Sequence, residues 1–318
     1  MKAPDFWWQA KPGWQAKALA PLGALYAAIT ARRMARPGFR AAVPVLCCGN
    51  PTVGGSGKTI LALDLGARLL ARGRKPAFLT RGYGGRQAAP MRVDKPDFAA
   101  FGDEALLLAA LAPTYVGADR AAGARLAIAD GADVLIMDDG LQNPALTKDF
   151  SFLVVDGAVG FGNGQPIPAG PLRETLPAAI ARCHAGVLIG ADKAGVAAQL
   201  GGLPVLTAHL QTEAEGLRGR KIYAFAGIGR PAKFAETLTE AGANVVRLHA
   251  FADHHVYAEA DIRRVLAAAD GLCATPMTTP KDAVRLPPAL RHRVQIAGVR
   301  TVWGNLAALD AALDRALG

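Results

Sequence analysis

A glycine-rich segment followed directly by lysine and threonine has the composition of a phosphate-binding loop. It reads CGNPTVGGSGKT and runs from Cys48 to Thr59, between a predicted strand and a predicted long helix. Glycines let backbone N–H groups converge on phosphate oxygens at the N-terminus of a helix. Lys58 is then placed to reach the β- and γ-phosphates of a nucleotide, and the Thr59 hydroxyl is placed to hold Mg²⁺.

The loop departs from the usual pattern at one position. The usual spacing places a glycine five residues before Gly57, where this chain has Thr52. The other glycines, the lysine and the threonine are present in strand–loop–helix order, so we interpret the segment as a nucleotide site and not as a chance glycine-rich turn. Nucleotide contacts are predicted at Val53, Gly54, Gly55, Ser56, Gly57, Lys58, Thr59 and Ile60.

Two aspartates follow a second predicted strand. Asp138 and Asp139 come directly after the apolar run Val134–Met137. In P-loop enzymes a carboxylate at the C-terminal end of a neighbouring strand supports Mg²⁺ and its waters. Aspartate pairs at strand ends are also common where no metal binds, so this prediction depends on the phosphate loop.

Two short polar segments could supply a general base. Residues 102–104 read GDE at the start of a predicted helix, where acidic residues also serve as N-caps. Residues 253–255 read DHH and could be an ordinary surface loop. If Asp103 and His254 approach across two lobes, they make a base and its orienting partner for activating a hydroxyl nucleophile. Sequence spacing leaves both interpretations open.

The composition is that of a globular protein with an excess of positive charge. Of 318 residues, 51% are apolar and 19% are charged, and the formal net charge is +10. This charge suggests a nucleic acid, an acidic membrane surface or a phosphorylated substrate as partner, although many soluble enzymes carry it with no polyanion bound. No run of like charges resembles a nucleic-acid tail, so we predict no nucleic-acid partner. The four cysteines have neither metal-ligand spacing nor a secreted disulfide pattern, which favours a cytosolic location.

The first 40 residues differ in composition from the rest of the chain. Tryptophans and an apolar segment precede a basic cluster, a composition that fits a helix lying on an anionic membrane surface. The alternative is an amphipathic helix packed on the protein's own core. No segment reaches the roughly 20 apolar residues that a membrane span needs. The aromatic and basic residues concerned are Trp7, Trp8, Trp14, Arg32, Arg33, Arg36 and Arg40.

Strands and helices are predicted to alternate from residue 43 onward. The predicted strands are Val43–Cys48, Pro76–Thr80, Thr114–Val116, Val134–Met137, Phe152–Val155, Lys221–Phe225 and Asn244–Leu248, and the predicted helices are Lys58–Ala71, Glu104–Leu111, Arg120–Ala129, Phe234–Glu240 and Ala260–Ala267. This alternation favours an α/β fold, a doubly wound P-loop-type sheet with a second, smaller α/β lobe and an N-terminal amphipathic helix. We predict a membrane-associating helical segment at 1–40, a P-loop domain at 41–205 and the smaller lobe at 206–318.

The motifs along the chain match a known family. The sequence resembles the tetraacyldisaccharide 4′-kinases, the lipid A 4′-kinases of Gram-negative bacteria, over nearly its whole length. The RGYGG and GNG…PAGPLRE segments are highly specific. In order, the matching segments are APLGALY (20–26), VPVLCCGNPTVGGSGKT (43–59), TRGYGG (80–85), GDE (102–104), DDGLQN (138–143), FGNGQPIPAGPLRE (161–174), FAGIGRPAKF (225–234), FADHHVY (251–257) and TTPKDAVRL (278–286).

The resemblance implies transfer of the ATP γ-phosphate to the 4′-hydroxyl of a tetraacylated glucosamine disaccharide 1-phosphate, with ATP and Mg²⁺ as cofactors. It implies a peripheral enzyme on the cytoplasmic face of the inner membrane, and we predict no obligate protein partner. Lys58 would be catalytic, and Asp103, paired with His254, would take the hydroxyl proton. Substrate or the transferring phosphate would be contacted by Arg81, Tyr83, Arg120, Gln142 and Arg173, and the metal by Thr59, Glu104, Asp138, Asp139 and Glu174.

Two residues depart from the family's pattern, and two other interpretations remain. Asn143 stands where the family commonly has histidine, and Pro280 where it commonly has glutamate. The chain could instead be an ATPase or GTPase of the metal-insertion or partitioning type, or a non-catalytic nucleotide-binding adaptor docked on a membrane. The ATPase or GTPase type usually carries a lysine just before the two glycines, where this chain has Val53.

Overall fold

The fold, described from a computed structural model, consists of thirteen strands and twelve α-helices within residues 3–86, 89–95, 97–212, 216–229 and 231–318. The strands are β1 Val45–Gly49, β2 Pro76–Thr80, β3 Met91–Arg92, β4 Thr114–Val116, β5 Val134–Asp138, β6 Phe150–Asp156, β7 Ala185–Ile189, β8 Val205–Thr212, β9 Lys221–Ala226, β10 Asn244–Ala250, β11 Thr275–Thr278, β12 Gln295–Ile296 and β13 Val299–Trp303. The helices are α1 Trp14–Met34, α2 Lys58–Ala71, α3 Phe98–Phe101, α4 Asp103–Ala109, α5 Arg120–Ala129, α6 Leu176–Ile180, α7 Val196–Gln199, α8 Pro231–Glu240, α9 Glu259–Gly271, α10 Pro280–Ala283, α11 Pro288–Arg291 and α12 Leu306–Leu317, preceded by a 3₁₀ turn at Asp5–Trp8. Arg230 of the FAGIGRPAKF segment and residues 1–2 of the predicted N-terminal segment lie outside the described residues.

One large sheet carries the phosphate loop. Its strand order is β13-β8-β7-β6-β1-β5-β2-β4-β3. In this order, adjacent strands from β8 through to β4 run parallel. The two edge strands, β13 and β3, pair antiparallel with their neighbours. Every residue of β1, β2 and β5 is buried, because a parallel sheet is covered on both faces. The predicted α/β fold with a doubly wound sheet is confirmed.

Two hydrophobic cores lie on opposite faces of this sheet. Successive side chains of a strand point to opposite faces. Accordingly, Leu46 and Cys48 of β1 pack in the core that contains side chains of α2 and α12, whereas Val45 and Cys47 pack in the core that contains side chains of α5 and α6. The adjacent cysteines are therefore buried core residues, as predicted.

A second sheet of four parallel strands forms a smaller lobe. Its order is β10-β9-β11-β12, with α9, α10 and α11 contributing to the core on one face and α8 to the core on the other. The loops that follow β9 and β10 carry Gly227 and His254, and α10 contacts α4 of the large lobe. This contact brings the second lobe to the edge of the first.

The predicted boundary at residues 205/206 does not follow the sheets. Strands β8 and β13 and helix α12 were assigned to the smaller lobe, but they belong to the large one. Strand β13 pairs antiparallel with β8, with Trp303 opposite Ala208, and α12 packs in the same core as α2. Strand β13 lies near the end of the chain and pairs at the edge of the large sheet. It does not interrupt the βα alternation, so the sequence pattern could not indicate where it belongs.

Helix α1 leaves an apolar stripe exposed. It packs closely on the loop after β6 through Gly23, where a Cβ atom would lie 2.9 Å from the carbonyl oxygen of Pro166. Leu22, Leu25 and Ile29 are 55%, 58% and 59% exposed. No helix in the described part of the chain is both long and apolar enough to cross a membrane.

Candidate active site

The phosphate loop connects β1 to α2 at the C-terminal edge of the large sheet. Gly57, directly before α2, has a φ of 88°, a left-handed conformation that glycine adopts without steric cost. A Cβ atom added at Gly54 or Gly55 would meet no atom within 4 Å, so this part of the loop borders open space. Its backbone is therefore accessible to phosphate oxygens.

Thr52, which replaces the usual glycine, forms a strand-like contact. It makes an antiparallel bridge with Leu172, and the next N–H, of Val53, donates to the carbonyl of Pro171 at 2.9 Å. The Thr52 hydroxyl and N–H both donate to Asn50 Oδ1 at 2.6 Å. Because β-branched residues favour extended backbone, threonine suits this position. The partner segment is remote in sequence, which is why sequence analysis did not reveal this role.

The first two residues of α2 face the two aspartates at the end of β5. The Lys58 ammonium lies 3.6 Å from Asp139 Oδ1. The Thr59 hydroxyl donates to Asp138 Oδ2 at 2.8 Å. The parallel register of β1 and β5 pairs Cys48 with Asp138, which brings the carboxylates beside the loop. The structure thus brings together these four residues predicted from sequence.

Asp138 is buried and has one unsatisfied oxygen. Its residue surface is 1% exposed, and Oδ1 has no hydrogen-bond partner among the described residues. Burial raises the pKa of Asp138 to about 7, and the charge of Glu104 acts in the same direction, whereas the hydrogen bond from Thr59 lowers it. A buried carboxylate oxygen without a partner beside a phosphate loop is suited to receive a cation.

Two other predicted metal ligands are already paired with cations. Asp139 accepts two hydrogen bonds from Arg173 Nη1, at 2.8 and 2.9 Å. Burial acts to raise the pKa of Asp139, but the charges of Lys58 and Arg173 outweigh it and lower that pKa. Glu104 accepts a hydrogen bond from Lys281 Nζ at 3.2 Å. Both acids are therefore held by basic side chains.

Glu174 lies apart from the other predicted metal ligands. It is 3% exposed, and it accepts hydrogen bonds from Arg182 at 2.5 Å and from Gln142 at 2.9 Å. It has no hydrogen bond to Thr59 or Asp138. The described residues contain no group of three or more His, Cys, Asp or Glu side chains that could hold a metal. A metal at Asp138 would therefore also need ligands from the nucleotide.

Asp103 and His254 meet across the two lobes. His254 Nδ1 lies 3.0 Å from Asp103 Oδ2, and Asp103 is 1% exposed. Asp103 is the first residue of α4 and does not cap it, since Gly102 is the N-cap. Burial acts to raise the pKa of Asp103, but the hydrogen bond with His254 and nearby cations lower it overall. The same hydrogen bond raises the pKa of His254. An anionic Asp103 requires Nδ1–H of His254 as the donor.

Two cations of the smaller lobe flank Asp103. Lys281 Nζ lies 3.6 Å and Arg285 Nε 3.9 Å from Asp103 Oδ2. Neither residue was predicted as a site residue. They lie in the TTPKDAVRL segment, and the match of this segment to the family was their only signal in the sequence. Their distance from Asp103 depends on how the lobes pack.

The remaining predicted substrate-binding residues border the same region. The Tyr83 side chain is 68% exposed, and its ring centroid lies 6.2 Å from that of His254. Arg81 is exposed directly after β2. Arg120 is buried, and its Nε has no partner among the described residues. Burial lowers the pKa of Arg120 to about 10, although the negative charge of Asp138 acts to raise it. Arg120 is thus a second buried polar group with unused hydrogen-bonding capacity near the site.

The two departures from the family pattern have local structural roles. Pro280 is the first residue of α10, after the N-cap Thr279, a position that favours proline. Asn143 Oδ1 accepts a hydrogen bond from the N–H of Ala145 at 2.9 Å within a turn. Neither residue contacts Lys58 or Asp138.

A cavity opens beside the C-terminal end of the phosphate loop. A Cβ atom at Gly57 would lie 3.6 Å from Ile189 Cγ1, so the loop ends against the last residue of β7. The cavity that begins at the next residue has a volume of about 250 Å³. It is lined by Gly190, Ala191, Thr207, Ala208, His209 and Gly304.

Known proteins with similar sequences share one description. The sequence pattern of the family described as Tetraacyldisaccharide-1-P 4′-kinase matches residues 15–318. The chain is 54% identical over 319 residues to a tetraacyldisaccharide 4′-kinase of Gluconacetobacter diazotrophicus, covering 99% of this chain and 98% of that protein. It is 51% identical over 325 residues to the enzyme of that name from Rhodospirillum rubrum, again with 99% and 98% covered.

A solved structure with a similar fold extends the comparison. The crystal structure of the "apo" form of LpxK from Aquifex aeolicus in complex with ATP superposes with a TM-score of 0.78 at 26% sequence identity. The match covers 95% of this chain and 99% of that one. The similarity therefore includes both lobes.

Proposed function

Because the chain belongs to the tetraacyldisaccharide-1-P 4′-kinase family, we propose that it transfers the γ-phosphate of ATP to the 4′-hydroxyl of a tetraacylated disaccharide 1-phosphate. The observation that carries this proposal is the proximity of two parts. The phosphate loop, with Lys58 and Thr59, lies beside Asp138. The charge of Glu104 acts on Asp138, and Glu104 directly follows the base candidate Asp103 in the chain. A γ-phosphate and an acceptor hydroxyl could be held in one place there.

Asp103 is the base in this proposal. The 4′-hydroxyl oxygen forms a bond to the γ-phosphorus, the bond from that phosphorus to the β–γ bridging oxygen breaks, ADP leaves, and the hydroxyl proton passes to the Asp103 carboxylate. The lowered pKa of Asp103 makes it a weak base. A loose phosphoryl-transfer transition state demands positioning and charge stabilisation above all. His254 donates Nδ1–H to Asp103 and so fixes its orientation.

Basic side chains would stabilise the transferring phosphate. Lys58 is placed at the loop, where it can move from Asp139 to the β- and γ-phosphates. Arg120 has a buried nitrogen without a partner, and an equatorial phosphate oxygen would satisfy it. Preorganised donors of this kind act on charge that develops in the transition state.

Mg²⁺ fits the pair formed by Asp138 and Thr59. Asp138 Oδ1 is buried and unpaired, and a cation would offset the burial and the charge of Glu104 that raise its pKa. Protein Mg²⁺ sites in kinases use one or two carboxylates together with substrate phosphates. When bound, the ion neutralises charge on the β- and γ-phosphates. Thr59 and Asp138 would hold it at the start of α2.

The nucleoside of ATP is assigned to the cavity beside β7. The cavity adjoins the end of the phosphate loop at Gly57 and is lined by small residues such as Gly190 and Ala191. In open α/β sheets, ligands bind at the carboxyl ends of the strands. A purine base fits a cavity of about 250 Å³.

Helix α1 is assigned to the cytoplasmic face of the inner membrane, where the acylated substrate resides. The exposed stripe of Leu22, Leu25 and Ile29 would enter the lipid, and the exposed arginines that follow would contact anionic headgroups. The chain would then act as a peripheral membrane enzyme with a lipid-linked substrate.

The test is ATP consumption by purified protein with and without the disaccharide 1-phosphate in detergent micelles. We expect consumption only when the lipid is present, and none with Lys58→Ala. Lys75→Ala, which removes an exposed lysine outside the site, is the matched control and should behave as the wild type. Consumption at the same rate without the lipid would favour the ATPase or GTPase interpretation.

A further inference from the structure

The smaller lobe contains a buried ion pair between Arg285, which flanks Asp103, and Asp282. Asp282 and Arg285 both have side chains with 0% exposure, and their nearest atoms are 2.7 Å apart. Asp282 also accepts hydrogen bonds from Tyr257 Oη at 2.7 Å and from Thr279 Oγ1 at 2.6 Å. The carboxylate is therefore fully paired and fixes the guanidinium beside it.

The guanidinium of Arg285 bonds the carbonyl of the residue after His254 and the carbonyl that accepts the N–H of His254 itself. Its Nη1 donates to the carbonyl of His255 at 2.9 Å, and its Nη2 donates to the carbonyl of Gly227 at 3.0 Å. The N–H of His254 donates to that same Gly227 carbonyl at 3.0 Å, and the Gly227 N–H donates to Asp282 at 2.8 Å. The loop that carries His254 is thus bonded to the end of β9 both directly and through Arg285.

The backbone of His254 needs such support. Its φ is 56°, in the left-handed region, which is sterically unfavourable for a residue with a side chain. Strained conformations persist only where surrounding contacts fix them. The His254 side chain is 33% exposed. Neighbouring contacts such as the pairing of His255 with Asp261 act on side chains, whereas Arg285 bonds the backbone.

An ordinary stabilising ion pair is the simpler explanation for these two residues. Buried ion pairs add little net stability compared with apolar side chains of the same size. A pair that only fills a core has no need of the other contacts of Arg285. These are its bonds to the peptide groups around His254 and the position of its Nε, 3.9 Å from Asp103. The same guanidinium lies near Asp103 and is bonded to the residue that follows His254.

We propose that Arg285 is a positioning residue for phosphoryl transfer, which fixes the backbone around His254 so that the imidazole meets Asp103. This inference rests on the proposed function, because it concerns the base and its partner. The other charged groups that act on the imidazole are Asp253 and Lys281. Asp253 accepts the N–H of His254, and neither residue bonds the His254 loop to Gly227.

The test compares Arg285→Lys with Arg220→Lys. Arg220 is the matched control: it lies in the same lobe and bonds the side chains of Thr275 and Gln295, away from His254. We expect Arg285→Lys to lower kcat by about 10- to 100-fold with the KM for ATP unchanged, because a small displacement of a catalytic group has this effect. Arg220→Lys should keep kcat within about twofold, a change expected of an exposed contact.

A double variant distinguishes positioning from stability. If Arg285 acts through the imidazole, Arg285→Lys combined with His254→Ala loses no more kcat than His254→Ala alone. Multiplied losses, or a wild-type kcat in Arg285→Lys, would overturn the proposal. If Arg285→Lys does not fold, Tyr257→Phe takes its place, since it removes one bond to Asp282; a smaller loss with the same non-additivity is expected, and wild-type kcat would contradict it.

An activity-independent measurement separates this inference from the proposed function. The ¹⁵N and ¹H NMR signals of the His254 ring report the hydrogen bond to Asp103. We expect Arg285→Lys to shift or broaden them and Arg220→Lys to leave them unchanged. If the wild-type protein transfers no phosphate while these signals still depend on Arg285, the proposed function fails and the positioning of His254 stands. Unchanged signals in Arg285→Lys would refute the positioning.

Discussion

At the scale of single residues, Asp138 is buried and has one carboxylate oxygen without a hydrogen-bond partner in the described part of the chain. Such an unsatisfied group typically costs about 1–3 kcal/mol in a folded protein. Glu104 adds repulsion, and Thr59 supplies a hydrogen bond to the other oxygen only. We interpret this cost as the consequence of a site that is complete only when a cation and a nucleotide are bound.

The raised pKa of Asp138 predicts how stability depends on pH. Its folded-state pKa of about 7 exceeds the value of an unfolded aspartate, so this group stabilises the folded state at low pH. The stabilising contribution of Asp138 is lost as the pH rises from about 4 to about 7. Each unit of difference between the folded and unfolded pKa values corresponds to about 1.4 kcal/mol of free energy of unfolding. Asp138→Asn should therefore gain free energy of unfolding relative to the wild type between pH 5 and pH 8. Denaturant titrations without nucleotide would check this, and parallel pH profiles would contradict it.

Asp103 and His254 are predicted to act as one unit. Asp103→Ala should lower kcat by about 10²–10⁴-fold with little change in the KM for ATP, and His254→Ala should lose less. The double variant should lose no more than Asp103→Ala alone, because partners in one unit are not additive.

A matched histidine provides the control for this cycle. His255 lies in the same loop and pairs with Asp261 at 3.1 Å instead of with Asp103. His255→Ala should keep kcat close to the wild-type value. Losses in the double variant that equal the product of the single losses would dismiss the dyad and leave the base unidentified.

The limits of sequence analysis at this scale follow from locality. Lys58 and Thr59 were predicted because their chemistry depends on neighbours in one short loop. The contact between Asp103 and His254 was only a hypothesis, since it depends on how two lobes pack. Arg285 acts on backbone carbonyls through a buried guanidinium. No residue type or spacing marks a contact of that kind.

At the scale of elements, the strands beside the phosphate loop were predicted well, whereas β8 and β13 of the same sheet were not. Strands β1, β2 and β5 are continuous apolar runs, because helices cover both of their faces. Strand β8 alternates buried and exposed residues at the rim of the large sheet, and β13 joins it antiparallel. Order along the chain therefore placed both of them in the wrong lobe.

The exposed stripe of α1 predicts membrane affinity. Replacing Leu22, Leu25 and Ile29 together by serine should weaken binding to anionic vesicles by more than about tenfold, since each side chain loses apolar contact with lipid. Vesicle co-sedimentation measures this. Leu126→Ser, at an exposed leucine of α5, is the control and should bind as the wild type. Equal binding by the triple variant would show that α1 serves the protein's own packing.

The cavity beside β7 predicts a separate effect on nucleotide affinity. Ala191→Phe should fill part of this cavity and raise the KM for ATP by about tenfold or more, while kcat changes little. Ala198→Phe, on the exposed face of α7, is the control and should leave both constants unchanged. An unchanged KM in Ala191→Phe would place the nucleoside elsewhere.

At the scale of the whole molecule, the two lobes contact each other at Asp103 and Glu104, the acids that follow Gly102. His254, Lys281 and Arg285 of the smaller lobe all lie within 4 Å of Asp103, and Lys281 also binds Glu104. The large lobe therefore contains both the phosphate loop and the base candidate Asp103, and the smaller lobe supplies the side chains that contact Asp103. The family's pattern covers both lobes, and the proposed reaction uses groups from both.

The most direct measurement follows the γ-phosphate from ATP to the acceptor. Purified protein would be incubated with γ-labelled ATP and tetraacyldisaccharide 1-phosphate in detergent micelles, beside an analogue whose 4′-hydroxyl is replaced by hydrogen. We predict label in the natural lipid at the 4′-position, none in the 4′-deoxy analogue, and none with Lys58→Ala. Label in the 4′-deoxy analogue, or ATP consumed with no label in either lipid, would contradict the assignment of a 4′-kinase.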